Sequence, residues 1–190
     1  MTTTLSTDST NKTRYDWLTI TLHWLTAILV VTLFLLAMIW DFLPKGTPLR
    51  KGMQAWHISL GLTLVVVYIV RVLWHVLGSN RLPPATHGLQ QVAAKTVHYA
   101  LYGLLAVQMV LGFLFRWAQG EPFMFFGLFE IPTLMAADRE MAHTYGEWHE
   151  QVAWIIIVLA GGHAAFALLH HYVFKDGVLL RMVPWGSRRR

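Results

Sequence analysis

Four stretches of this chain contain no Asp, Glu, Lys or Arg: Trp17 to Trp40, Gly52 to Val70, Thr96 to Phe115 and Gln151 to Phe174. Each is about as long as a helix needs to be to cross a bilayer. Strands of an outer-membrane barrel would alternate polar and apolar residues over short segments, and these stretches do not. Only 13% of the residues are charged and 55% are hydrophobic, about half the charge of a soluble domain. Four such helices in one small soluble protein would leave too little polar surface. The reading is therefore an all-α membrane protein, a four-transmembrane-helix bundle, with helices at about residues 17–40, 54–77, 94–117 and 147–174. One bundle domain covers residues 14–184. The polar, Thr-rich residues 1–13 read as a disordered cytoplasmic tail, and residues 185–190 as a basic one. The first apolar run is too long for a signal-peptide core and no small-residue cleavage pattern follows it, so it is expected to stay in the protein.

Charge distribution sets the expected orientation. Ten Lys and Arg residues fall at the end that carries both termini: Lys12, Arg14, Arg71, Arg81, Lys95, Lys175, Arg181, Arg188, Arg189 and Arg190. Five fall at the other end: Lys45, Arg50, Lys51, Arg116 and Arg139. This asymmetry places both termini in the cytoplasm, where the basic tail would also favour anionic lipids. The basic residues form no separate domain, which argues against nucleic-acid binding.

Cysteine is absent, which removes disulfides, thiolate metal sites, iron–sulfur clusters and covalently attached haem. Histidine, with ten copies, is the plentiful ligand that remains. His149 and His163 are fourteen residues apart, almost four helical turns. Their rings leave the same face roughly 21 Å apart along the axis. An ionisable ring within a membrane helix is a functional candidate by default. A wide, flat ligand such as haem also needs small residues one turn from its axial histidine. His23 has Ala27, His57 has Gly61, His149 has Gly146 and Ala153, and His163 has Ala160 and Ala167. Chain direction then pairs them by depth, His57 with His149 at the outer end and His23 with His163 at the inner end. Zinc could use imidazoles too, but pairs roughly 21 Å apart cannot close on one ion. Two facing imidazoles per site suit six-coordinate haem iron. His75, His87, His98, His143 and His170 read as ordinary interfacial or loop histidines. His171 is a lesser candidate for a quinone or a haem propionate.

The third connection, 118–145, carries Phe-Met-Phe-Phe-Gly-Leu-Phe at 123–129 between two prolines. This run is too short to span and is expected to lie at the outer interface or over the bundle as a lid.

Together, Arg14-Tyr15, Leu22-His23-Trp24-Leu25, His57-Ile58-Ser59-Leu60-Gly61 with Arg71, Glu121-Pro122-Phe123, Trp148-His149-Glu150, Gly161 to His163 and His170 to Asp176 resemble the prokaryotic cytochrome b561 family. The resemblance runs from about Thr13 to Pro184. It implies a multi-pass protein of the bacterial inner membrane whose bundle encloses two non-covalent, bis-histidine b-type haems. It implies electron transfer between a membrane quinone, such as ubiquinone, and a second redox partner. Superoxide oxidised at the periplasmic face is one such activity within the family. The same helical core occurs in cytochrome b subunits of hydrogenases and related reductases. A haem-bearing membrane anchor for a partner reductase is therefore the alternative. A transporter or sensor fits less well, because broken helix pairs along a substrate path are missing.

Arg71 follows His57 by the same fourteen residues and so shares its face, near the depth of the inner pair. An interior arginine needs an anionic partner, and a haem propionate would supply one. Snorkelling to the interface is the simpler alternative.

Overall fold

The computed structural model describes residues 14–78 and 82–183, and the tails at 1–13 and 185–190 lie outside them. Four long helices dominate: α1 (Trp17–Asp41), α2 (Pro48–Leu77), α3 (Gly88–Ala118) and α4 (Arg139–Leu169). All four are long and apolar enough to cross a membrane. Three begin well before the hydropathy-based bounds. Thr47 caps α2 by accepting from the Arg50 amide at 3.4 Å, and Pro48 takes the first turn, where its missing N–H costs nothing. Asp138 caps α4 by accepting from the Met141 amide at 3.0 Å. The polar first turns of both helices extend beyond the apolar stretch, where hydropathy gives no signal. α3 starts at Gly88, whose φ of +61° suits glycine.

Asp16 caps α1. Its carboxylate accepts from the Thr19 amide at 2.9 Å and from the Trp74 indole of α2 at 3.0 Å. Burial works against its charge, but these hydrogen bonds hold its carboxyl below the usual carboxylate range. One side chain thus fixes the start of α1 against the end of α2.

The closest helix packing lies within two pairs, α1 with α2 and α3 with α4. Leu22, Leu29 and Leu33 of α1 meet Leu64 and Val67 of α2 in a buried cluster. In the second pair, the Asp138 amide donates to the Ala118 carbonyl at 2.8 Å and joins the start of α4 to the end of α3. A Cβ at Gly146 would stand 3.0 Å from the Phe115 ring, so glycine lets those helices approach. Outward-facing Ile28, Val31, Leu35, Val66, Val110 and Val158 are exposed. In a bilayer, lipid chains solvate such a surface.

The third connection is neither featureless nor helical. It forms a hairpin of β1 (Phe123–Phe125) and β2 (Phe129–Ile131), paired antiparallel with Phe123 opposite Ile131. Its turn places Phe126 (φ +47°) and Gly127 (φ +72°) in the left-handed region, and the Leu128 amide closes on the Phe125 carbonyl at 2.8 Å. The hairpin bridges the helix pairs. Buried Phe123 packs on Phe113 and Trp117 of α3. On the other side Ser59 of α2, 2% exposed, accepts from the Phe126 amide at 2.9 Å and donates to the Met124 carbonyl at 3.2 Å.

After α4 the chain makes a π-helical turn, His170–Phe174, reverses at Lys175 (φ +54°) and runs back through a 3₁₀ turn, Leu179–Arg181. There the Tyr15 amide donates to the Arg181 carbonyl at 3.3 Å, so both ends of the described chain lie at one end of the bundle. The β-hairpin lies at the opposite end.

Candidate functional site

At the hairpin end His57 of α2 faces His149 of α4, with ring centres 6.3 Å apart and planes at 69°. His57 Nδ1 lies 3.0 Å from the Leu33 carbonyl and donates to it, which leaves Nε2 as the unprotonated ring nitrogen. His149 Nδ1 is buried with no hydrogen-bond partner among the described residues. Gly112 admits this ring. A Cβ there would stand 3.3 Å from His149 Cε1. Trp40 packs edge-on against His57, with centres 5.0 Å apart. At Gly61, one turn along α2 from His57, a Cβ would meet no atom within 4 Å.

At the end carrying the termini, His23 of α1 faces His163 of α4 at 6.4 Å and 71°. Two imidazoles on opposite sides of one metal ion stand about 6 Å apart, from about 2 Å per metal–nitrogen bond and roughly 1 Å from nitrogen to ring centre. Both pairs match that span. The structure thus brings the rings of His57 and His149 together at one depth and those of His23 and His163 at the other.

His98 also reaches His163, at 5.1 Å. That is ring contact, shorter than the span across an ion. The sequence reading put His98 near a helix end. It fails there because α3 starts ten residues earlier, at Gly88, which carries His98 almost three turns into the helix. Arg71 points into the bundle. Its guanidinium donates to His23 Nδ1 at 3.1 Å and lies over the Tyr102 ring at 5.1 Å. Tyr68 fixes the same region by donating to the Tyr102 carbonyl at 3.0 Å.

Of the remaining histidines, His75 stacks on Tyr102 at 6.3 Å, and exposed His143 lies 3.7 Å from Glu147. His87 is the residue preceding α3, with no side-chain capping bond. His171 packs edge-on against exposed Tyr172, at 4.8 Å. His170 departs from expectation. It is 2% exposed, pairs through Nδ1 with the Asp176 carboxylate, and its Nε2 is buried with no hydrogen-bond partner among the described residues. The reversal at Lys175 buries it, and no apolar periodicity signals that reversal. Arg50 is also committed. It donates to the Trp40 and Leu43 carbonyls at 2.6 and 2.9 Å and pairs with Asp41 at 3.2 Å. Its basic neighbours Lys45 and Lys51 are exposed. Among the described residues, no cluster of three or more His, Cys, Asp or Glu could hold a metal ion.

These features describe a four-helix membrane protein whose facing imidazoles occupy two depths. The chain belongs to the prokaryotic cytochrome b561 family, whose model matches residues 14–185. It is 33% identical over 175 residues to cytochrome b561 homolog 2 of Escherichia coli (strain K12), covering 92% of this chain and 93% of that one. It is 29% identical over 172 residues to the probable superoxide oxidase CybB of Yersinia pestis, covering 90% and 96%. Cytochrome b561 homolog 1 of Escherichia coli (strain K12) is 28% identical over 172 residues, covering 90% and 97%. The family implies b-type haem and electron transfer in a membrane.

Proposed function

We propose that the protein is a di-haem cytochrome passing electrons between a membrane quinone, such as ubiquinone, and a second redox partner. His57 and His149 would hold one b-type haem and His23 and His163 the other. The observation carrying this reading is the pair of ring separations, 6.3 and 6.4 Å, each drawn between a first-pair helix and α4. Bound there, haem b would supply one-electron redox chemistry at two depths of the bundle. The chain's own residues orient and charge those sites. The Leu33 carbonyl holds the His57 proton on Nδ1, so that Nε2 would be free to hold iron.

Arg71 would hold a propionate of the haem at the terminal end. The argument is chemical. With iron on Nε2, a neutral imidazole keeps its proton on Nδ1 and donates from it. His23 Nδ1 could then no longer accept from Arg71, and the guanidinium would turn to another acceptor. A carboxylate offers it a bidentate one.

The basic asymmetry supports cytoplasmic termini in a bacterial inner membrane, with the β-hairpin at the periplasmic face. Exposed Lys45 and Lys51 would attract a small anionic donor toward His57, and superoxide has that character. The alternative, a haem-bearing anchor for a partner reductase, draws on the hairpin tip. Leu128 and Phe129 there are 76% and 54% exposed. Co-purification of a stoichiometric partner subunit would favour it.

Four alanine variants test the ligand assignment through redox-resolved absorption spectra. His57→Ala and His149→Ala should remove the same one of two haem components, and His23→Ala and His163→Ala the other. If His57→Ala and His163→Ala remove the same component, the pairing is wrong.

A further inference from the structure

Residues 170–183 form a strap across the terminal end of the bundle. Contacts along its whole length hold it. At its root, His170 lies between the Phe166 and Phe174 rings, with centres 4.4 and 5.0 Å away, and pairs with Asp176 across the π-helical turn. Asp176 also accepts from the Val178 amide at 3.1 Å, which fixes the direction of the returning chain. Burial opposes the Asp176 charge. The bonds from His170 and Val178 outweigh it and hold the carboxyl below the usual carboxylate range. Further on, Arg181 donates to the Pro83 carbonyl at 2.7 Å and accepts, through its own carbonyl, from the Tyr15 amide. At the far end the Trp24 indole donates to the Met182 carbonyl at 2.7 Å.

Trp24 is the neighbour of His23 in sequence, and its indole packs edge-on against the His23 imidazole at 5.6 Å. Two torsions define a tryptophan side chain, and the Met182 bond pins its polar tip. A pinned indole restricts the imidazole it touches.

We propose that the strap is a positioning element for His23, in which the His170–Asp176 pair closes the strap and the Met182 carbonyl holds Trp24 against the His23 ring. The inference rests on the reading of His23 as a haem ligand. His170, Asp176 and Trp24 act here through His23 and bind no cofactor themselves. The contacts explain why a buried histidine sits in a π-helical turn outside the paired rings, since such turns commonly mark places where function has reshaped a helix.

The test uses the full-length, haem-loaded protein in detergent. Trp24→Phe keeps a ring and removes the single N–H donor. Asp176→Ala opens the root of the strap. Both variants should keep two haems. Both should shift the low-spin electron paramagnetic resonance signal and the midpoint potential of the His23/His163 haem, while the other haem stays in place. Exchange of the Tyr15 amide should accelerate at least tenfold in Asp176→Ala, a readout that needs no haem. Where Asp176→Ala fails to accumulate, Trp24→Phe decides the matter. Unmoved signals in Trp24→Phe, or equal shifts at both haems, would overturn the proposal. His23→Ala separates the two layers. If it abolishes one haem while Trp24→Phe moves nothing, only the strap proposal falls. If it spares both haems, the ligand assignment falls and the proposal with it.

Discussion

Arg71 shows how far a single residue could be read ahead of the fold. Its fourteen-residue offset from His57 placed it on the interior face of α2, and the guanidinium is found at His23 Nδ1. Spacing works here because a long regular helix carries angular information over many residues. On the propionate reading, Arg71→Gln should lower the midpoint potential of the His23/His163 haem, because a nearby positive charge favours the reduced iron. A partly screened unit charge contributes on the order of 1 kcal/mol, roughly 40 mV for a one-electron couple. The other haem should move much less. A redox titration with full haem content checks this, and an unchanged curve would leave Arg71 as a purely structural residue. The facing of the four rings was legible in the small residues one turn from each and in chain direction. His98 and His170 were not, since their settings depend on where α3 begins and on a chain reversal. Thr47-Pro48 and Asp138 are cap signals that could have corrected the helix starts, because capping side chains mark an N-terminus even outside the apolar stretch.

At the scale of elements, the hairpin β1–β2 is the feature that hydropathy could not resolve. Its aromatic run reads as membrane-seeking, whereas its conformation is set by the positive φ angles at Phe126 and Gly127. A bulky residue in that region carries strain, which surrounding contacts must offset. Ser59 supplies two of those contacts from a position that is 2% exposed. Ser59→Ala would leave the Phe126 N–H and the Met124 carbonyl without their partner, at a cost of about 1–3 kcal/mol. Hydrogen exchange at the Phe126 amide should therefore speed up about 5- to 150-fold. Exchange at wild-type rates would show that strand pairing alone holds the turn. Nothing in a one-dimensional pattern reveals this latch, because a serine in an apolar run looks the same whether it serves its own helix or a loop far along the chain.

For the molecule as a whole, the four spans and the common end of Tyr15 and Arg181 were legible. Membrane length and charge bias act on whole segments and tolerate errors in detail. A reporter fused after Arg190 should be active only in its cytoplasmic form, and periplasmic activity would reverse the proposed orientation. The division into two helix pairs has a further consequence for biogenesis. His23 and His57 lie in the half that is synthesised first, and His149 and His163 lie in α4. On the proposed assignment each haem takes one ligand from each half. The nascent chain would therefore carry only half of one coordination sphere until the ribosome has passed residue 149, and half of the other until it has passed residue 163, so loading would follow synthesis of the last helix. The same division would make haem a cross-link between halves. Its supply would then set, through mass action, how much of the newly made protein stays folded.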